Sequence, residues 1–94
     1  MLKDVRAEIQ KIDDQIIELM AKRTGLAEKV LDAKKRGRVE INDEEQNRAV
    51  LKRAVEAATE RGMDAGAVKR IYEVLIEMSI ERQRELSGRG KLQP

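Results

Sequence analysis

Residues 2–36, LKDVRAEIQKIDDQIIELMAKRTGLAEKVLDAKKR, decide the fold. Their apolar positions run Leu2, Val5, Ile9, Ile12, Ile16 and Leu19, then Leu26, Val30 and Ala33, at steps of three and four that place them along one side of an α-helix. One slot in that seam, residue 23, holds an arginine. Lys35-Arg36-Gly37 reads as the stop, a basic last turn followed by a glycine able to take the left-handed conformation. Written as a single helix from Lys3 to Arg36, the segment is about 51 Å long, whereas a compact chain of this length has a radius of gyration of roughly 12–13 Å. Such a helix outruns any domain the chain can build alone, and its apolar seam runs almost end to end. The spacing therefore predicts that a second copy covers the overhanging half, in an intertwined homodimer.

The rest of the chain is helical by the same criteria, since no proline precedes Pro94 and no segment alternates with a period of two. After Gly37, the run Ile41-Asn42-Asp43 offers a second start. Either Asn42 or Asp43 can cap it, with Glu45 or Gln46 three residues on to complete a capping box. The second helix is expected to bury Val50, Leu51, Ala54, Val55 and Ala58 and to end at Gly62. Asp64 caps a third, carrying Val68, Ile71, Tyr72, Leu75, Ile76, Met78 and Leu86. The expectation is an all-α chain of three helices, one long and two shorter, forming a single domain over residues 1–87. Residues 88–94, with Arg89 and Lys91, read as a disordered basic tail.

Composition narrows the chemistry. The 94 residues contain no Cys and no His, which removes disulfides, thiol nucleophiles, Cys/His zinc sites and any imidazole base, and no metal or cofactor is expected. Lys and Arg number 20 against 18 acidic residues, too small an excess to point to nucleic acid or to an anionic membrane. Met1 is followed by charged residues and no long apolar run exists, so the expected location is the cytoplasm. Only Tyr72 is aromatic, which leaves a thin aliphatic core and again favours help from a second chain.

Polar residues where apolar ones belong mark the candidate site. Arg23 has no carboxylate at any neighbouring seam position, and an unpaired buried guanidinium is costly unless it snorkels to the rim or finds an anion. Lys34 lies eleven residues on, which is about 20° of rotation and about 16 Å of rise, so Arg23, Ala27, Val30 and Lys34 share a stripe able to bracket a small dianion. Tyr72, Ile76, Ser79 and Gln83 form a second stripe whose far end turns polar. Arg6 is some 25 Å from Arg23 along the helix and can reach it only across a dimer.

Taken together, Val5-Arg6-Ala7-Glu8-Ile9 with Ile12-Asp13, the Arg23 to Lys34 spacing, Ile41-Asn42-Asp43, Met63-Asp64 and Leu75-Ile76-Glu77-Met78-Ser79 to Gln83 resemble the all-helical chorismate mutases over roughly residues 2 to 86. The resemblance implies an interlocked dimer with two sites, each built from both chains, that converts chorismate to prephenate. It gives the two substrate carboxylates to Arg23 and the partner's Arg6, the ether oxygen to Lys34 and Gln83, the ring hydroxyl to Asp43, and a carboxylate to Ser79. Catalysis then rests on Lys34, Gln83 and Arg23. A one-substrate pericyclic reaction requires neither a nucleophile nor a proton transfer, which suits a chain without His or Cys. Two positions depart from the family pattern: Gln46 and Asn47 stand where an Arg anchors substrate and a Glu accepts from its hydroxyl, and Arg48 is 100° away round the helix. Isochorismate pyruvate lyase, on the same scaffold, and a non-catalytic helical dimerisation or regulatory module are the alternative readings.

Overall fold

The structure is a computed structural model that describes residues 1–88. Its helices are α1 (Leu2–Gly25), α2 (Ala27–Gly37), α3 (Glu44–Glu60) and α4 (Ala65–Leu86). The long first helix thus contains one break, at Leu26. Thr24 and Gly25 are poor helix formers, and the Leu26 N–H bonds back to the Arg23 carbonyl, three residues away at 3.2 Å, instead of to residue 22. Leu26 keeps right-handed angles (φ −82°, ψ −5°), and the Val30 N–H returns to the Leu26 carbonyl to start α2. The three-helix architecture survives this interruption. At 53 Å the longest dimension of the molecule is what a rod of this many residues requires, and the radius of gyration, 16.2 Å, exceeds that of a compact chain.

The two later helices start as their caps dictate. Asp43 Oδ1 accepts from the Gln46 N–H at 3.2 Å, and Asp64 Oδ1 accepts from the Ala67 N–H at 3.1 Å. Asp43, not Asn42, is therefore the cap of α3. Both preceding helices close with the same pair of backbone bonds: Val39 to Lys34 with Arg38 to Lys35, and Met63 to Ala58 with Gly62 to Thr59. This motif needs a left-handed residue just past the helix. Gly62 supplies it after α3 at φ 68°, but after α2 the residue is Arg38, at φ 58°. Gly37, read from the sequence as the left-handed stop, instead belongs to the last turn of α2.

Packing is concentrated at one end. Helix α4 touches all three others, most extensively α3 and then α2. The buried apolar core is Ala27 and Leu31 of α2, Ile41 of the connection, Ala54 and Ala58 of α3 and Ile76 of α4. Three of the six are alanines, which let the helix backbones approach closely. Val50, Leu51 and Val55 are only half-buried, and Ile71, Met78 and Leu86 stay exposed, so the expected core is larger than the one this single chain closes. Helix α1 buries nothing: Leu2, Val5, Ile9, Ile12, Ile16 and Leu19 are each about half exposed or more. No helix among the described residues is long and apolar enough to cross a membrane. Residues 89–94, most of the expected tail, lie outside the described residues.

Candidate active site

Where α4 crosses the α1–α2 junction and faces the start of α3, a cleft of about 310 Å³ opens. Arg23 and Lys34 reach it from the long rod, Gln46, Asn47 and Arg53 from α3, and Ser79 and Gln83 from α4, over a floor of Leu26, Val30, Val50 and Ile76. The helical spacings explain the convergence. Positions 46, 50 and 53 lie on one side of α3, and 76, 79 and 83 on one side of α4. The lining contains three cations and no carboxylate, a charge arrangement suited to an anion. A larger groove of about 570 Å³, which also touches Asn47 and Ile76, carries two carboxylates, Glu77 and Glu81, against one cation, Arg84, which makes it a poorer place for a dianion.

Arg23, Lys34, Asn47, Ser79 and Gln83 are each held by a specific partner, whereas the side chains of Gln46 and Arg53 have none among the described residues. One nitrogen of Arg23, half-buried, donates to the Leu75 carbonyl at 3.1 Å, which locks its guanidinium between the rod and α4 and leaves further N–H groups unused. The Lys34 ammonium donates to the Ile41 carbonyl. Burial holds its pKa below the ordinary lysine value, and the nearby Asp43 carboxylate pulls it part of the way back up. Asn47 donates through Nδ2 to Asn42 Oδ1 at 2.9 Å, so its Oδ1 is left to accept. Gln83 is 1% exposed, donates to Ser79 Oγ at 3.0 Å, and keeps a buried Oε1 with no partner among the described residues. An orphaned amide oxygen in a buried position is expensive in a finished fold, and turning the amide end for end relieves it, because the Ser79 hydroxyl can then donate to Oε1 and Nε2 becomes the free donor.

Of the residues singled out in the sequence, Arg23, Lys34, Gln46, Asn47, Ser79 and Gln83 come together here. Asp43 does not line the cleft; it caps α3 and acts through its field on Lys34. Arg6 is exposed on α1, away from its own chain's cleft. Ala27 turns into the core rather than the cleft, and Tyr72 lines an adjoining cavity of about 340 Å³ together with Arg23 and Arg53. Arg48 faces a different groove, beside Lys52 and Lys69, and so does not replace the missing charge at Gln46. Two residues escaped the sequence reading. Arg53 was legible as the position two turns beyond Gln46, whereas the Asn42–Asn47 pair crosses from a loop into a helix and has no periodic signal.

Comparison with known proteins identifies relatives of this chain. A chorismate mutase of Methanocaldococcus jannaschii is 30% identical over 84 residues, covering 89% of this chain and 85% of that protein. Two bifunctional chorismate mutase/prephenate dehydratases are similar over most of this chain but only about a fifth of their own length: that of Buchnera aphidicola subsp. Schizaphis graminum, 27% identical over 90% of the chain and 22% of the protein, and that of Enterobacter agglomerans, 30% identical over 87% and 21%. Residues 5–84 match the pattern of a single family, and the chain belongs to it: chorismate mutase type II.

Proposed function

We propose that the protein is a chorismate mutase whose cleft binds chorismate as a dianion and rearranges it to prephenate. The observation that carries this reading is the cleft itself, which sets three cations and no carboxylate around an apolar floor, within a chain of this family. In the rearrangement the ether C–O bond breaks as a C–C bond forms, and the departing oxygen gains negative charge. Lys34, fixed by the Ile41 carbonyl, is placed to stabilise that oxygen. Gln83 assists once its amide is turned end for end: Oε1 then accepts from the Ser79 hydroxyl, the orphan is satisfied, and Nε2 is free to donate into the cleft. Asn47, its Nδ2 occupied by Asn42, offers Oδ1 to the ring hydroxyl. Arg23 anchors one carboxylate.

The second carboxylate is assigned to Arg6 of the partner subunit in a homodimer. The exposed seam of α1 supports this, because a 24-residue helix with a continuous apolar stripe and no buried residue calls for a matching surface. No step requires a cofactor, and the biosynthetic role of the family fits a cytoplasmic enzyme.

The test is direct: incubate the protein with chorismate, follow its loss, and identify the product as prephenate. Pyruvate release from isochorismate, without chorismate turnover, reassigns the cleft to a lyase. Inertness towards both leaves a binding or dimerisation module.

A further inference from the structure

We infer that Arg53 is a substrate-anchoring residue of this cleft and supplies, from two turns further along α3, the positive charge that Gln46 does not carry. The inference rests on the chorismate mutase reading and names a contact within that same site.

Arg53 follows Gln46 by seven residues, so it lies within about 20° of the same helix face and about 10.5 Å further along the axis. Side chains on a helix lean towards its N-terminus, which directs a long arginine from position 53 back towards the level of Gln46 and Val50. All three line the cleft. Arg53 also lines the adjoining cavity with Arg23, so two guanidinium groups converge on the same space. Neither has a carboxylate within 4 Å among the described residues, where the only ion pairs are Met1 with Asp4 and Arg82 with Glu85. Two like charges that line one cavity without an acid among its lining residues favour an anion placed between them, although Arg53 itself is exposed in the single chain. Each guanidinium presents parallel N–H donors that suit a carboxylate. Arg23 already gives one donor to the Leu75 carbonyl, whereas Arg53 has no hydrogen bond among the described residues and can engage fully.

The experiment measures steady-state turnover of chorismate, together with calorimetric binding of prephenate as a readout independent of chemistry. Arg53→Gln should lower kcat/KM about tenfold or more, chiefly through KM, and weaken prephenate binding in parallel. Arg53→Lys keeps the charge and the stem but loses the fork, and should fall in between. Arg48→Gln, on the other groove, should match the parent. The decisive arm adds Gln46→Arg: it should recover most of the loss in the Arg53→Gln background and add little to the parent, because one cation on this face suffices. If Arg53→Gln lowers the melting temperature, the recovery by Gln46→Arg still decides, since a guanidinium two turns away does not repair a packing defect at position 53.

A parent that turns over chorismate while Arg53→Gln does so equally well overturns the role of Arg53 and leaves the function standing. A parent that binds prephenate through Arg53 but rearranges nothing does the reverse. Neither turnover nor binding in the parent overturns both.

Discussion

Truncating Ile12 to alanine should weaken the dimer by an amount that the exposure of this residue sets. Ile12 sits in the middle of the α1 seam and is 53% exposed in the single chain. Burying a whole isoleucine side chain is worth about 1.5–3 kcal/mol, so the uncovered half that a partner would bury is worth about 0.75–1.5 kcal/mol per chain. A two-fold dimer contains the contact twice, giving about 1.5–3 kcal/mol, or about 10- to 160-fold in the dissociation constant. Sedimentation equilibrium over a dilution series measures this directly, and Lys11→Ala, off the seam and about 100° round α1 from Ile12, is the control. The parent should be dimeric at micromolar concentration and Lys11→Ala indistinguishable from it. A folded monomeric parent, or equal shifts for Ile12→Ala and Lys11→Ala, refutes the idea that the seam is the interface.

Mixing inactive Arg6→Ala chains with inactive Arg23→Ala chains should regenerate activity, because one of the two sites in each heterodimer then holds both arginines; no recovery despite proven subunit exchange rules out a shared site. Since burial lowers the pKa of Lys34, the alkaline fall in kcat/KM should begin below the ordinary lysine value, with kcat falling later because a bound dianion favours the ammonium; a profile flat through that range contradicts the role given to Lys34. The same shift bears on stability: between the folded and unfolded pKa values the unfolded chain binds the extra proton, so this residue makes stability rise with pH across that window, and Lys34→Met should abolish the slope. Gly62→Ala meets nothing within 4 Å yet must hold φ 68°, so it should cost about 1–2 kcal/mol, while Arg38→Gly at φ 58° should be neutral or stabilising by up to about 1 kcal/mol. Thermal unfolding of the pair checks this, and equal effects would show that the left-handed position is not what matters.

Most of this fold could be read from the sequence because its signals are local and periodic. The three-and-four spacing of Leu2 to Leu19 gave the rod, and Asp43 and Asp64 gave the helix starts, since a cap acts within three residues of itself. The break at Leu26 was foreshadowed only by Thr24-Gly25, whose low propensity is as often overridden as obeyed. Arg38 was misplaced by one residue because glycine is the commoner left-handed residue and Gly37 stood next to it. The cleft was legible where one helix carries the spacing, as for Arg23 with Lys34 and Ser79 with Gln83. It was not legible where it depends on how helices cross: Asn42 against Asn47, the exclusion of Asp43 from the lining, and the cavity that Arg53 shares with Arg23.

The chain begins to bury its own residues only at Ala27, just past the break, and this has a kinetic consequence. A helix gains most of its stability from a packed face, and α1 has little of its own chain to pack upon. With the proposed dimer, refolding should therefore run in two stages, a first-order collapse of α2, α3 and α4 followed by a second-order step in which two α1 segments zip together and the partner's Arg6 completes the site. If the chains pair in this way, doubling the protein concentration quadruples the rate of that second step and halves its half-time, so the amount of protein made governs how quickly, and on dilution whether, the site is completed.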